Sequence, residues 1–503
     1  MIKDINKLPN DPQTLKAMLL QLQGELDASN EKVEYLLEQF RLAQQKRFGA
    51  SSEAHLGQGE LFNEAEVEDD KTEVVKQEVS YTRRQPKRQN LPKDLPREVI
   101  IHDISDDEKT CDCCGEALHQ MGESVSEKLE FIPAQIKVIE HVRLKYSCRG
   151  CDKHGTKNKV KIAPLPTSTI PKGIATPSLL SQIITSKYQY GLPLYRQESM
   201  FKQYGIALGR KTMSEWMIKS SILFKPIVER LQQVQLEQCV IHADETPLKV
   251  IKEDKKKCYM WVYCTGTDSP NESDIPNIVI YDYQNSRAGS CPVKYLGDFN
   301  GYLQVDGYAG YHQVGATLVG CMAHARRKFK EAEQSQPKGK TGKSNWALNH
   351  IQKLYRIETG LKGKSVDEKF AVREECSVPL LNEFKEWLDK SAEQVPPKSA
   401  IGKAISYSRN QWHTLSVYVE DGHLAIDNNR AERAVKPFVI GRKNWMFSNT
   451  ANGADASAVL YSIIETAKAN GLIPFDYLLH CFEHLATGSD DIDAIMPWNI
   501  GIS

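Results

Sequence analysis

Cys239-Val240-Ile241-His242-Ala243-Asp244 and Tyr302-Leu303-Gln304-Val305-Asp306 repeat one arrangement, a short apolar run closed by an acid. Such runs, lacking helical spacing, predict buried strands. A carboxylate at the end of a buried strand is costly unless a charge or a metal compensates it. Two of them on neighbouring strands of one sheet point to divalent cations held by oxygen ligands. Outward from this pair, residues 258–264 are strongly apolar and aromatic, and residues 277–283 read as a third strand. Residues 288–299 suit a helix, and residues 317–321 a further strand leading into His324-Ala325-Arg326-Arg327-Lys328-Phe329. Three sequential strands followed by alternating helices and strands give the mixed α/β order of a ribonuclease-H-like sheet, spanning residues 236–465. Residues 330–425 are mainly helical and read as an insertion into it.

A third acid lies in Asp427-Asn428-Asn429-Arg430-Ala431-Glu432-Arg433-Ala434. Asp427 is the expected N-cap of a helix there. Asn428 and Glu432 then share a face at i and i+4, and Lys436 continues it. Arg326, Arg327, Lys328, Arg430, Arg433, Lys436, Arg442 and Lys443 could offset phosphate charge near these acids. His324 is open to two readings, orienting a phosphate or carboxylate, or serving as a satisfied structural histidine. Trp445 and Phe447 either stack on unpaired bases or pack the helix against the sheet. Residues 174–225 read as short helices around the turn Gly205-Ile206-Ala207-Leu208-Gly209. Arg210 and Lys211 open the last helix, as in a DNA-contacting helix-turn-helix, although such units also occur in cores.

The amino-terminal segment follows a different rhythm. Leu15, Leu19, Leu22, Leu26, Ser29, Val33, Leu36, Phe40 and Ala43 alternate spacings of four and three, a coiled-coil seam within residues 11–48. Its alternative is one amphipathic helix packed on its own domain. Gly24 and Gly49 are expected to weaken or end the helix. Residues 51–95 lose the periodicity and turn from acidic to basic, as a flexible linker whose basic half is either solvated or in contact with a DNA backbone. Cys111-Asp112-Cys113-Cys114 and Cys148-Arg149-Gly150-Cys151 are two knuckles joined by expected strands at 128–133 and 136–142. Cys111, Cys114, Cys148 and Cys151 fit a closed tetrahedral Zn²⁺ site, structural rather than catalytic, within residues 100–160. Cys113 is the alternative ligand within the first knuckle.

Lys plus Arg equals Asp plus Glu at 65 each, so any basic surface must come from local clustering. The start Met1-Ile2-Lys3-Asp4 lacks the apolar core of a signal peptide, and no run of some 18 apolar residues occurs. The expectation is a soluble cytoplasmic, nucleoid-associated protein with no membrane role.

Taken in order, these motifs resemble the transposases of the insertion sequence sixty-six group, bacterial enzymes of the DDE type. The resemblance runs from Arg47-Phe48-Gly49-Ala50-Ser51-Ser52-Glu53 and the cysteine knuckles through Leu192-Pro193-Leu194-Tyr195-Arg196-Gln197 and His242-Ala243-Asp244-Glu245-Thr246. It continues with Asp306-Gly307-Tyr308, Cys321-Met322-Ala323-His324 and Asp427-Asn428-Asn429-Arg430-Ala431-Glu432-Arg433, and closes with Trp445-Met446-Phe447-Ser448 and the run 463–471, with a helical tail over 466–503. It implies a catalytic triad of Asp244, Asp306 and Glu432 holding Mg²⁺ or Mn²⁺ for DNA cleavage and strand transfer. It also implies double-stranded DNA partners (element terminal inverted repeats and target), a homo-oligomer through the coiled coil, and small accessory proteins from the same element.

Overall fold

The computed structural model describes residues 11–48, 99, 113, 116, 136–146, 161–164, 168–171, 173–255, 257–267, 270, 275–336 and 342–500. The chain forms two compact units, residues 73–163 and the remainder. In the smaller unit, β1 (Lys145–Tyr146) and β2 (Lys161–Ile162) form an antiparallel ribbon with Lys145 opposite Ile162. Arg143 Nε donates to Ala163 O at 2.7 Å beside it. Residues 136–142, expected as a strand, are irregular. The linker 51–95, the strand expected at 128–133 and the four knuckle cysteines lie outside the described residues.

In the larger unit, Asp11 caps α1 (Pro12–Phe48) by accepting from Thr14 N at 2.9 Å. The helix passes Gly24 unbroken, so glycine does not end it there. Leu19, Leu22, Leu26, Val33, Leu36 and Phe40, six members of the seam, are all more than half exposed.

Next come α2 (Pro177–Tyr188), α3 (Leu194–Gln203) and α4 (Arg210–Leu236). Sequence reading ends this helical region at 225, yet α4 continues through Pro226 for another ten residues. Proline removes one hydrogen bond and costs about 3 kcal/mol inside a helix. Ile227 and Leu231, both fully buried beyond it, each return about 1.5–3 kcal/mol and outweigh that cost.

The sheet contains β3 (Val240–Leu248), β4 (Cys258–Thr265), β5 (Ile278–Gln284), β6 (Tyr302–Gln304) and β7 (Thr317–Val319) in the order β5-β4-β3-β6-β7. β5, β4 and β3 are mutually antiparallel, whereas β3, β6 and β7 run parallel. A short α5 (Ser290–Leu296) precedes β6. After β7 come α6 (Met322–Ser335), α7 (Lys343–Gly360), α8 (Val366–Val372), α9 (Val378–Ala392), α10 (Ala400–Asn410) and α11 (Trp412–Leu415), around their own core of Phe329, Ile351, Leu354 and Phe384. The chain then returns to the sheet with α12 (Asn429–Trp445), α13 (Ala451–Ala469) and α14 (Pro474–Ala486).

Strand alternation sorts the two faces. Thr246 and Leu248 of β3 lie opposite Met260 and Cys258 of β4, on the face packed against α2–α4 and α12–α14. Ala243 and Glu245 lie opposite Tyr263 and Trp261 on the other face, under α5. The outer edge of β5 is closed by side chains of α13. Thr466 Oγ1 bonds both Val279 N (3.0 Å) and Val279 O (2.9 Å), Ser462 Oγ accepts from Tyr281 N at 2.8 Å, and Asn470 Nδ2 donates to Asn277 O at 2.7 Å. Hydroxyls and an amide at i, i+4 and i+8 satisfy backbone groups that an edge would otherwise leave bare.

Candidate active site

β3 and β6 fix the first two acids. Their parallel register pairs His242 with Gln304. Asp244 stands two residues further along β3 and Asp306 two residues past Gln304, just beyond the end of β6, near enough for its charge to act on Asp244. Asp306 is set by the turn after β6, where its Oδ1 accepts from Tyr308 N at 2.9 Å and its carbonyl accepts from Tyr407 OH at 3.0 Å. β3 does not stop at Asp244 as its sequence suggests. It runs four residues further because β4 pairs with it antiparallel as far as Leu248.

The third acid reaches them through Asn428, which is fully buried. His242 Nδ1 lies 3.2 Å from Asn428 Oδ1, Asn428 Nδ2 donates to Ala243 O at 2.8 Å, and Asn428 N donates to Cys321 Sγ at 3.2 Å. The Asn428 side chain is thus a pin between α12 and β3. Asn428, not Asp427, is the N-cap residue. Asp427 instead accepts from Asn429 N at 3.1 Å and from Tyr355 OH at 3.0 Å. Glu432 follows one turn after Asn428 and is buried in the first turn of α12, where the helix dipole favours an anion.

Electrostatics tie the acids together. Burial pushes the Asp244 carboxyl well above the usual carboxylate range, and the charges of Glu245, Asp306 and Glu432 add to it. Burial likewise pushes Glu432 up to about 7, with Asp427 and Asp306 adding to the rise and Arg327 opposing it. Arg327 NH2 lies 3.5 Å from Glu432 Oε2, and His324 Nδ1 lies 3.5 Å from Glu432 Oε1. Burial and then Arg327 pull the imidazole of His324 down to about 4, which keeps it neutral at physiological pH. Crowded carboxylates with too few cations fit divalent ions that prefer hard oxygen donors.

Comparison with known proteins identifies the family. The description "Transposase IS66 family" matches residues 172–456, more than half of the chain. The chain belongs to this family. Membership implies DNA transposition by phosphoryl transfer. Within the same IS66 group, "zinc-finger binding domain of transposase IS66" matches residues 108–152 and "IS66 C-terminal element" residues 462–498. "Transposase C of IS166 homeodomain" matches residues 35–100. The uncharacterized protein y4jD of Sinorhizobium fredii is 32% identical over 98% of this chain and 97% of its own length. The uncharacterized protein y4qI of the same organism is 30% identical over 99% of both chains. No solved structure matches.

The cations expected to meet DNA in this IS66 family member are placed unequally. Arg210 and Lys211 are exposed at the start of α4, whose first backbone N–H is capped by Glu198 at 3.2 Å. Met213, Trp216 and Phe224 of the same helix are buried in the core shared with the sheet, so the helix-turn-helix-like region is part of the main body. Arg327 is exposed, Lys328 lies 4.9 Å over the Tyr407 ring, and Lys443 is exposed. Arg433 and Lys436 are half-buried, and burial pulls the Lys436 ammonium down. Arg326 corrects the expectation, being only 5% exposed, because its position on α6 faces the helical core. Arg430 is also buried and donates to Thr265 O at 3.3 Å. Arg442 is drawn inward to Thr246 Oγ1 (3.2 Å) and Pro247 O. Trp445 packs edge-on against Tyr188 with ring centroids 6.2 Å apart, whereas Phe447 remains exposed.

A second polar cluster lies on the opposite face of β3. Glu245 accepts from Arg287 Nε at 2.8 Å and from the buried Tyr311 OH at 2.7 Å. Its signal was the alternation itself, since a residue beside Asp244 must point away from it. Among the described residues, no helix is long and apolar enough to cross a membrane.

Proposed function

We propose that this transposase cuts and joins DNA at the ends of a mobile insertion element, with Asp244, Asp306 and Glu432 as its catalytic carboxylates on a ribonuclease-H-like sheet. The observation that supports the reading is that the charges of Asp306 and Glu432 both act on the buried Asp244, with Asn428 tying α12 to β3 at Ala243. The three carboxylates would hold Mg²⁺ or Mn²⁺. When bound, these ions activate a water or a DNA 3′-hydroxyl for in-line attack and stabilise the departing oxygen. The chain's own residues do the rest. Arg327 and Lys328 flank the acids and offset phosphate charge, while Arg433, Lys436 and Lys443 extend that field along α12. Arg210 and Lys211 offer a further contact to the duplex backbone. Glu245 and Arg287 hold the far face of β3 rigid, keeping Asp244 in place.

Two features support the wider assembly. The exposed seam of α1 suits pairing with a second copy, and the matched zinc-finger segment suits structural Zn²⁺ on Cys111, Cys114, Cys148 and Cys151. Small companion proteins of the element would complete the machinery. The substrates are the element's terminal inverted repeats and target DNA of the nucleoid.

The test is Mg²⁺-dependent cleavage of element-end DNA with companion proteins present. Asp244→Ala, Asp306→Ala and Glu432→Ala should each abolish cleavage and leave DNA binding nearly intact, because Lys and Arg supply most of the affinity. Asp427→Ala should keep most of its cleavage. If Asp427→Ala loses cleavage while Glu432→Ala keeps it, the third ligand is misplaced. If all three triad variants cut normally, the nuclease reading fails.

A further inference from the structure

Cys321 and His324 stand at the start of α6, facing the first turn of α12. One sulfur, one imidazole nitrogen and one carboxylate oxygen from Cys321, His324 and Glu432 lie within 4.8 Å of one another. Glu432 is 93% buried and its Oε1 has no hydrogen-bond partner, and neither has His324 Nδ1. The two atoms face each other across 3.5 Å. Two polar atoms without hydrogen-bond partners, so placed, offer a seat for a cation between them. Arg327 does not fill that role, since it approaches the other oxygen, Oε2. Tetrahedral zinc, with bonds of about 2.0–2.3 Å, sets its ligand atoms about 3.3–3.8 Å apart. The nitrogen–oxygen pair already has that separation, and the sulfur lies within 4.8 Å of a ligand atom of each partner. A sulfur–nitrogen–oxygen donor set selects zinc-class ions, whereas Mg²⁺ prefers oxygen alone.

We propose that Cys321, His324 and Glu432 form a site for a thiophilic divalent ion, Zn²⁺ in particular, which seizes the third catalytic carboxylate and so inhibits the Mg²⁺-dependent reaction. On binding, the Cys321 thiol gives its proton to solvent and the thiolate becomes a ligand. The fourth position stays open to water. The inhibitory part rests on Glu432 serving catalysis as proposed above, whereas the binding part does not.

The full-length protein tests both. Zn²⁺ titration of metal-stripped protein, followed calorimetrically, should give one equivalent more for the wild type than for Cys321→Ser or His324→Gln, with each variant's folding checked by thermal unfolding. In the cleavage assay, the Zn²⁺ concentration that halves each protein's own Mg²⁺ rate should rise at least about tenfold in both variants, the scale set by losing even a supporting group around a metal. Unchanged stoichiometry in both variants overturns the site. A lost equivalent with unchanged inhibition overturns its regulatory role. Normal cleavage by Asp244→Ala and Glu432→Ala would instead refute the catalytic reading and leave the stoichiometry result standing.

Discussion

Replacing Glu432 with Gln should make the metal-free protein more stable at alkaline pH while abolishing strand cleavage. The carboxyl is pushed from an ordinary 4.5 up to about 7, chiefly by burial and despite Arg327. A carboxyl whose folded pKa lies above its unfolded one is best held when protonated. Its contribution is therefore full below 4.5 and is lost as pH rises through about 7, because across that window the folded protein binds more protons than the unfolded chain. At about 1.4 kcal/mol per pH unit, the loss reaches about 3 kcal/mol by about pH 8. Gln has nearly the same shape and carries no charge to bury. The variant should match the wild type near about pH 4.5 and exceed it by about 2–3 kcal/mol near about pH 8 in a chelator. Mg²⁺ should narrow the gap by stabilising the wild type more, since the cation supplies what the buried charge lacks. Urea-unfolding midpoints at the two pH values, with and without Mg²⁺, measure all four states. A variant less stable than the wild type near about pH 8 without metal would refute the reasoning, because it would mean that Arg327 already compensates the charge.

The neighbouring acid should behave oppositely. Glu245→Ala leaves the buried Tyr311 hydroxyl without its acceptor and breaks the pair with Arg287, and half-exposed Arg287 can return to water, so about 2–4 kcal/mol should be lost in the same urea assay. An unchanged midpoint would show that this cluster does not hold β3. Leu22→Pro, costing about 3 kcal/mol in the middle of α1, should lower the mass seen by light scattering. The same mass in both proteins would place self-association elsewhere. Cys148→Ser should release zinc measurable by elemental analysis, and full retention would show that the ligand set is misassigned.

Much of this arrangement was legible because strands and acids leave a short-range signature. The apolar runs before Asp244 and Asp306 give the strands β3 and β6, whose pairing sets His242 beside Gln304. The face carrying Asn428 and Glu432 follows from helical spacing alone. Contacts between distant segments left no such trace. That Asn428 pins α12 to β3 depends on a residue 186 positions away in sequence, His242. The burial of Arg326 depends on which side of α6 meets the insertion core, and an Arg-Arg-Lys run reads as exposed in any linear pattern. The passage of α4 through Pro226 depends on partners in α14, where Phe224 meets Phe482 at 4.5 Å. In each case tertiary packing decides, and local propensity is the weaker influence.

One helix joins the two ends of the larger unit. At its start, α6 carries His324 and Arg327, the groups nearest Glu432. At its other end, Ser335 Oγ donates to Glu38 Oε1 at 3.2 Å and Ser335 O accepts from Arg41 NH1 at 3.1 Å. Glu38 also accepts from Ala400 N at 2.9 Å, placing its charge at the positive end of α10. α1 is therefore fastened by a polar face at Glu38 and Arg41 while its apolar seam stays open. Fourteen residues of α helix span about 20 Å, and a helix packed on α7 and α10 transmits position rather than bending. A second copy paired along the seam would thus stand at a set distance from the carboxylates. Two active sites held at a set separation are what joining two ends of one DNA segment requires.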